Sequence, residues 1–85
     1  MTRESGGSVV APALTPWQRF KRLRHERGLT MGWLGHHSEL TRAQIWGMLN
    51  GVYGHPDTPE KRREIVRVLN LGPGGPVTEA DIWSQ

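Results

Sequence analysis

Eighty-five residues carrying a net charge of +3 leave room for one small domain with a modest core. The absence of cysteine excludes disulfides and thiolate metal sites. No apolar run is long enough for a membrane span or a signal-peptide hydrophobic region, so a cytoplasmic protein is expected. The charge is unevenly placed: from Trp17 to Leu71 ten Lys/Arg stand against five Asp/Glu, whereas Glu79 and Asp81 make the tail acidic. A basic folded part suits a polyanionic partner.

Residues 1–13, with Gly6, Gly7 and Pro12 among small polar residues, are expected to form a disordered N-terminal arm. Helix 1 is expected to begin at Thr15-Pro16, where Thr15 and Gln18 have the spacing of a capping box and Pro16 suits the first helical position. Trp17, Phe20 and Leu23 recur at threes and mark the core side. Five cations (Arg19, Lys21, Arg22, Arg24 and Arg27) cover the remainder, and Gly28 ends the helix.

Helix 2 is expected from about Met31 to Ser38, capped by Thr30, with Leu34 facing inward. Gly35 offers the small residue that a close helix crossing requires. Trp33 is expected to be half-buried against helix 1 or helix 4. His36 and His37 are adjacent and point to different sides, which is poor geometry for one metal ion. Leu40 occupies the turn as an apolar plug. Helix 3 follows from Thr41, its cap, to Asn50, with Gly51 as a left-handed stop. Ile45 and Met48 share its inner face, leaving Arg42, Ala43, Gln44, Trp46 and Gly47 pointing mostly outward.

The loop VYGHPDT leads to helix 4, with Thr58 as cap and Pro59 at the first position. Ile65, Val66, Val68 and Leu69 supply its inner face, and Lys61, Arg62 and Arg63 make a basic cluster at its start. GPGGP then breaks the chain, and VTEADIWSQ is expected to form one further turn capped by Thr78. Ile82 and Trp83 either fold back to complete the core or bury against a second subunit. The fold expected is all-α: a small four- to five-helix bundle containing a helix-turn-helix. Residues 14–71 form the domain and 72–85 the linker and tail.

The stretch LTMGWLGHHSELTRAQIWGMLNG resembles the helix-turn-helix of the phage repressor/Cro (lambda-repressor-like, XRE) family. The resemblance extends from about Phe20 to about Leu71, through LRHERGLT before the motif and PEKRREIVRVLNL after it. It implies a sequence-specific regulator of transcription, most readily a repressor, whose third helix enters the major groove of double-stranded DNA. It also implies a homodimer on an inverted repeat, in a phage, prophage or toxin–antitoxin setting, working in the cytoplasm at the nucleoid. Three positions depart from the family pattern. Leu49 stands where a glutamate pairs with the arginine at position 24. Met31 stands where glutamine supports base reading, and Glu39 replaces the turn glycine.

Within that reading Arg42 reaches either guanine O6/N7 or a phosphate, and Gln44 either adenine or a phosphate. Ala43 contacts a thymine methyl, and Trp46 either lies along sugars and methyl groups or folds back on the domain. Gly47 lets the helix backbone approach DNA. Asn50 resembles the phosphate-contacting end of the family's helix. Arg22, Arg24, Tyr53 and Lys61 are candidate phosphate contacts, as are Thr30 and Thr41 at the helix starts. Arg24, lacking its carboxylate, is expected to turn to Glu26, Asp57 or a phosphate.

No phosphate loop and no nucleophile–base set stand at recognisable spacing, so neither an enzyme nor a cofactor or metal site is expected. The competing class is a protein-binding adaptor or antitoxin-like module of the same fold, docking through Trp33, Trp46 or Trp83.

Overall fold

The computed structural model describes residues 14–83, and the expected N-terminal arm lies outside them. Among the described residues the protein is all-helical: α1 Pro16–Glu26, α2 Met31–His37, α3 Arg42–Asn50, α4 Pro59–Leu71 and α5 Ala80–Trp83. A threonine stands before each of the first four helices, and its hydroxyl accepts a backbone N–H from the first turn. Such a bond is worth about 1 kcal/mol and fixes where each helix starts, while packing on the core supplies most of what holds helices of seven to thirteen residues. α1 and α3 carry full capping boxes. Thr15 N–H donates to Gln18 Oε1 at 2.9 Å, and Thr41 N–H to Gln44 Oε1 at 2.8 Å.

α1 closes by a Schellman arrangement. Gly28 takes φ 66°, its N–H donates to the His25 carbonyl, and Leu29 N–H donates to that of Arg24. α3 also ends on a left-handed glycine, Gly51 at φ 69°, with the Gly51 and Val52 N–H groups both donating to the Gly47 carbonyl. In this conformation a Cβ is costly, so glycine right after each helix marks its end.

One core is shared by all five helices. Phe20, Leu34, Ile45, Ile65, Val68, Leu69 and Ile82 are fully enclosed. Leu40 plugs the gap between α2 and α3 as expected, and Leu29, Met48, Leu49 and Val77 complete the cluster. Trp17, Leu23 and Trp33 pack against this core without being enclosed by it, and Val66 is only half-buried. Trp33 stacks on His37 of its own helix, the ring centroids 4.2 Å apart.

The tail folds back. α5 packs on α1, Ile82 is fully buried, and Asn70 clamps the Val77 backbone through two hydrogen bonds of 2.8 and 3.0 Å. Arg27 donates to the Gly75 carbonyl, fastening the GPGGP segment to α1. Arg62, paired with Asp57 at 2.7 Å, covers the Trp83 ring at 4.8 Å.

Four residues link α2 to α3, and α4 braces them. Ser38 Oγ bonds both backbone groups of Leu40, while Glu39 N–H donates to Glu64 Oε2 at 2.8 Å. Arg67 pairs with Glu64 at 2.6 Å and also reaches the His37 carbonyl at the end of α2. The turn without the family's glycine is therefore held by a carboxylate and a guanidinium from another helix. The Arg67 guanidinium, with the Glu39 N–H adding to it, holds the Glu64 carboxyl below its ordinary value of 4.5.

A depressed carboxyl stabilises the fold fully above its unfolded value, and that contribution drains away as pH falls through the lower folded value. Glu64→Gln is thus expected to be less stable than the wild type by about 1 kcal/mol at pH 7. The gap should close as pH falls from about 4.5. Urea unfolding of both proteins at pH 7 and pH 3 checks this, and an equal gap at both values would contradict it.

Candidate nucleic-acid interface

α3 owes its orientation to Ile45, Met48 and Leu49, which are buried on one side. The opposite side presents Arg42, Ala43 and Trp46, all exposed, with Trp46 at 49%. Arg42 and Trp46 are one helical turn apart and share a face. The stem of Arg42 rests in the space left by Gly35: a Cβ there would sit 3.1 Å from Arg42 Cγ and 3.6 Å from its backbone nitrogen. The smallness expected of Gly35 is thus used to let the start of α3 approach α2.

These residues join a groove that three helices build together. Trp17 and Arg24 from α1, Met31 from α2, and Arg42, Ala43 and Trp46 from α3 line an open cavity of about 470 Å³. Its lining is mainly apolar, with two guanidinium groups and no carboxylate. Trp17, placed on the core side by its spacing, serves here as a wall. Met31, which departs from the glutamine of the family pattern, contributes apolar surface in the same groove. Neither residue stood among the expected contacts; the packing of α1 and α2 against α3 brings them there.

Several expected contacts are placed differently. Gly47 is buried, not outward. His55 covers it so closely that a Cβ would meet the imidazole and its Cβ at 2.5–2.7 Å. The glycine therefore admits the 51–58 loop onto α3 rather than DNA onto the helix.

Gln44 is half-buried, and its carbonyl oxygen is engaged by the Thr41 N–H. A bidentate adenine contact needs that oxygen and the amide nitrogen together, so it would break the capping box. The T-x-x-Q spacing read at Thr15 recurs at Thr41 and was the available signal. Asn50 is exposed, but its Nδ2 donates to the Trp46 carbonyl at 2.8 Å within its own helix. The hydroxyls of Thr30 and Thr41 serve as caps.

Arg24 turns to neither of the carboxylates expected for it. Nη1 donates to the Leu29 carbonyl at 3.0 Å and Nη2 lies 3.1 Å from His25 Nε2, which holds the guanidinium at the groove rim. The position of the missing glutamate, Leu49, belongs to the core.

Lys61 lies apart from the groove. It donates to the Pro56 carbonyl at 3.2 Å and lines a second depression with Glu39, Leu40, Glu60 and Glu64. The acidic residues of that depression make it a poorer place for a phosphate than the carboxylate-free groove. Arg22 and Tyr53 are exposed, Tyr53 completely.

No family model matches the chain, and neither does any curated protein or solved structure. The site's own chemistry must therefore carry the functional argument. Among the described residues no group of three or more His, Cys, Asp or Glu could hold a metal ion. Among them, too, no helix is long and apolar enough to cross a membrane.

Proposed function

We propose that this protein is a sequence-specific double-stranded DNA-binding regulator of the repressor/Cro kind, acting at the nucleoid by occupying an operator. The observation that carries the reading is the groove itself. Arg24, Arg42, Ala43 and Trp46 meet on one surface that spans α1 and the exposed side of α3, with no carboxylate lining it. A short helix capped at its start and followed by a left-handed glycine offers its outer side to base edges. Arg22 and Tyr53 are exposed and serve as phosphate contacts in this reading. A two-fold dimer would place two such helices on half-sites ~34 Å apart.

A second reading has a specific observation in its favour. The groove is lined more by apolar than by polar surface, and Trp46 is half-exposed within it. Exposed apolar surface of this kind also suits a peptide, as in a protein-binding adaptor.

Salt separates the two. Binding of the full chain to mixed-sequence duplex, followed by fluorescence anisotropy, is expected to fall steeply and linearly in log–log form between about 50 and 200 mM salt, since each neutralised phosphate releases counterions. Absence of binding even at the lowest salt would remove the regulator reading and favour the adaptor.

A further inference from the structure

Phosphate oxygens and the hydrogen-bonding edges of bases gain nothing from a surface of two indoles, a thioether and a methyl group. Yet Trp17, Met31, Ala43 and Trp46 supply just such a surface, and its rim carries the guanidinium groups of Arg24 and Arg42. The rim calls for an anionic partner and the floor for an apolar group on it. Within the major groove of DNA one such group projects from the base pairs, the C5-methyl of a pyrimidine. Thymine has it, cytosine lacks it, and 5-methylcytosine regains it.

We propose that the groove takes the C5-methyl group of a pyrimidine adjacent to a guanine, which makes DNA binding methyl-dependent at that step. Arg42 and Ala43 are consecutive at the start of α3, and Trp46 lies one turn beyond Arg42 on the same exposed face. A guanidinium that forks onto guanine O6 and N7 therefore brings the apolar floor beside the neighbouring base. The adjacency in the chain matches an adjacency in the DNA, so a thymine or 5-methylcytosine beside that guanine is preferred, and a uracil or unmethylated cytosine there disfavoured. The proposal rests on the DNA-binding reading above and specifies what its reading surface prefers.

The test begins with selection of bound duplexes from a random-sequence pool by the full-length protein. The selected duplex is then resynthesised with each thymine in turn replaced by uracil, which deletes the methyl alone. At the critical step C and 5-methyl-C are compared as well. Expected is a drop of about fourfold in affinity for uracil at one position per half-site, the ratio for losing one buried methyl group. The same ratio is expected between 5-methyl-C and C.

Trp46→Ala and, independently, Met31→Ser should bind with the thymine–uracil ratio reduced towards one, their helical circular dichroism matching that of the wild type. Recovery of no duplex from the pool would overturn the regulator reading and this proposal together. A selected duplex that binds equally well with uracil at every position would overturn the methyl proposal alone. So would a methyl effect that persists unchanged in both variants.

Discussion

Arg42→Ala is expected to lower affinity for a selected duplex by about ten- to a hundredfold and to relax base preference at one position per half-site, as befits the loss of one bidentate contact. The side chain is exposed at the first residue of α3, and its stem is seated against the gap at Gly35. Alanine keeps the helix, because the box formed by Thr41 and Gln44 lies in other side chains. Circular dichroism should therefore be unchanged while discrimination is lost.

Gln44→Ala is the informative contrast. Its carbonyl oxygen closes the capping box, so its removal should cost about 0.5–1 kcal/mol of stability and leave base preference as it was. Competition binding with single-base-pair variants of the duplex checks both. Uniform weakening across all sequences for Arg42→Ala would mean that Arg42 holds a phosphate and that the reader lies elsewhere.

Ile82→Ala is expected to destabilise the protein by about 2–5 kcal/mol, through lost burial and the cavity left behind. That is a large share of the ~5–15 kcal/mol available to a typical domain. Ile82 is fully enclosed, on a helix of four residues that has too few internal bonds to stand alone. Its position depends on the Asn70 clamp at Val77, the contact of α5 with α1, and the Arg62 side chain over Trp83. The loss should appear as a lower urea midpoint that is the same at low and high protein concentration. A midpoint that rises with concentration in the wild type would instead point to burial of this residue between subunits.

The second outcome considered for Ile82 and Trp83, a subunit interface, is not what the fold uses them for. Ile82 belongs to the chain's own core, and Trp83 packs against that core half-buried.

The candidate site was legible where its parts are local to α3. Arg42, Ala43 and Trp46 were placed outward by the spacing of Ile45 and Met48, and they are outward. Gly47 failed because helical periodicity sets only which side a residue faces, not what loop arrives there. His55, eight positions later, decides that. Lys61 is a similar case. It reads as part of a basic cluster along the chain, but Glu39 comes beside it from the turn between α2 and α3.

The sequence by itself determined where each of the first four helices begins and where α1 and α3 stop, because a threonine hydroxyl reaches only three residues ahead and a left-handed glycine acts on the turn it ends. It also determined most of the core, since burial follows the helical repeat. Only the tertiary structure decided which outward residues share a surface. The packing of α1 and α2 against α3 brought Trp17 and Met31 into one groove with Trp46, and the bracing of the turn by Glu64 and Arg67 joined α4 to a segment 25 residues earlier. Such contacts depend on how helices meet in space, and no short-range pattern along the chain encodes them.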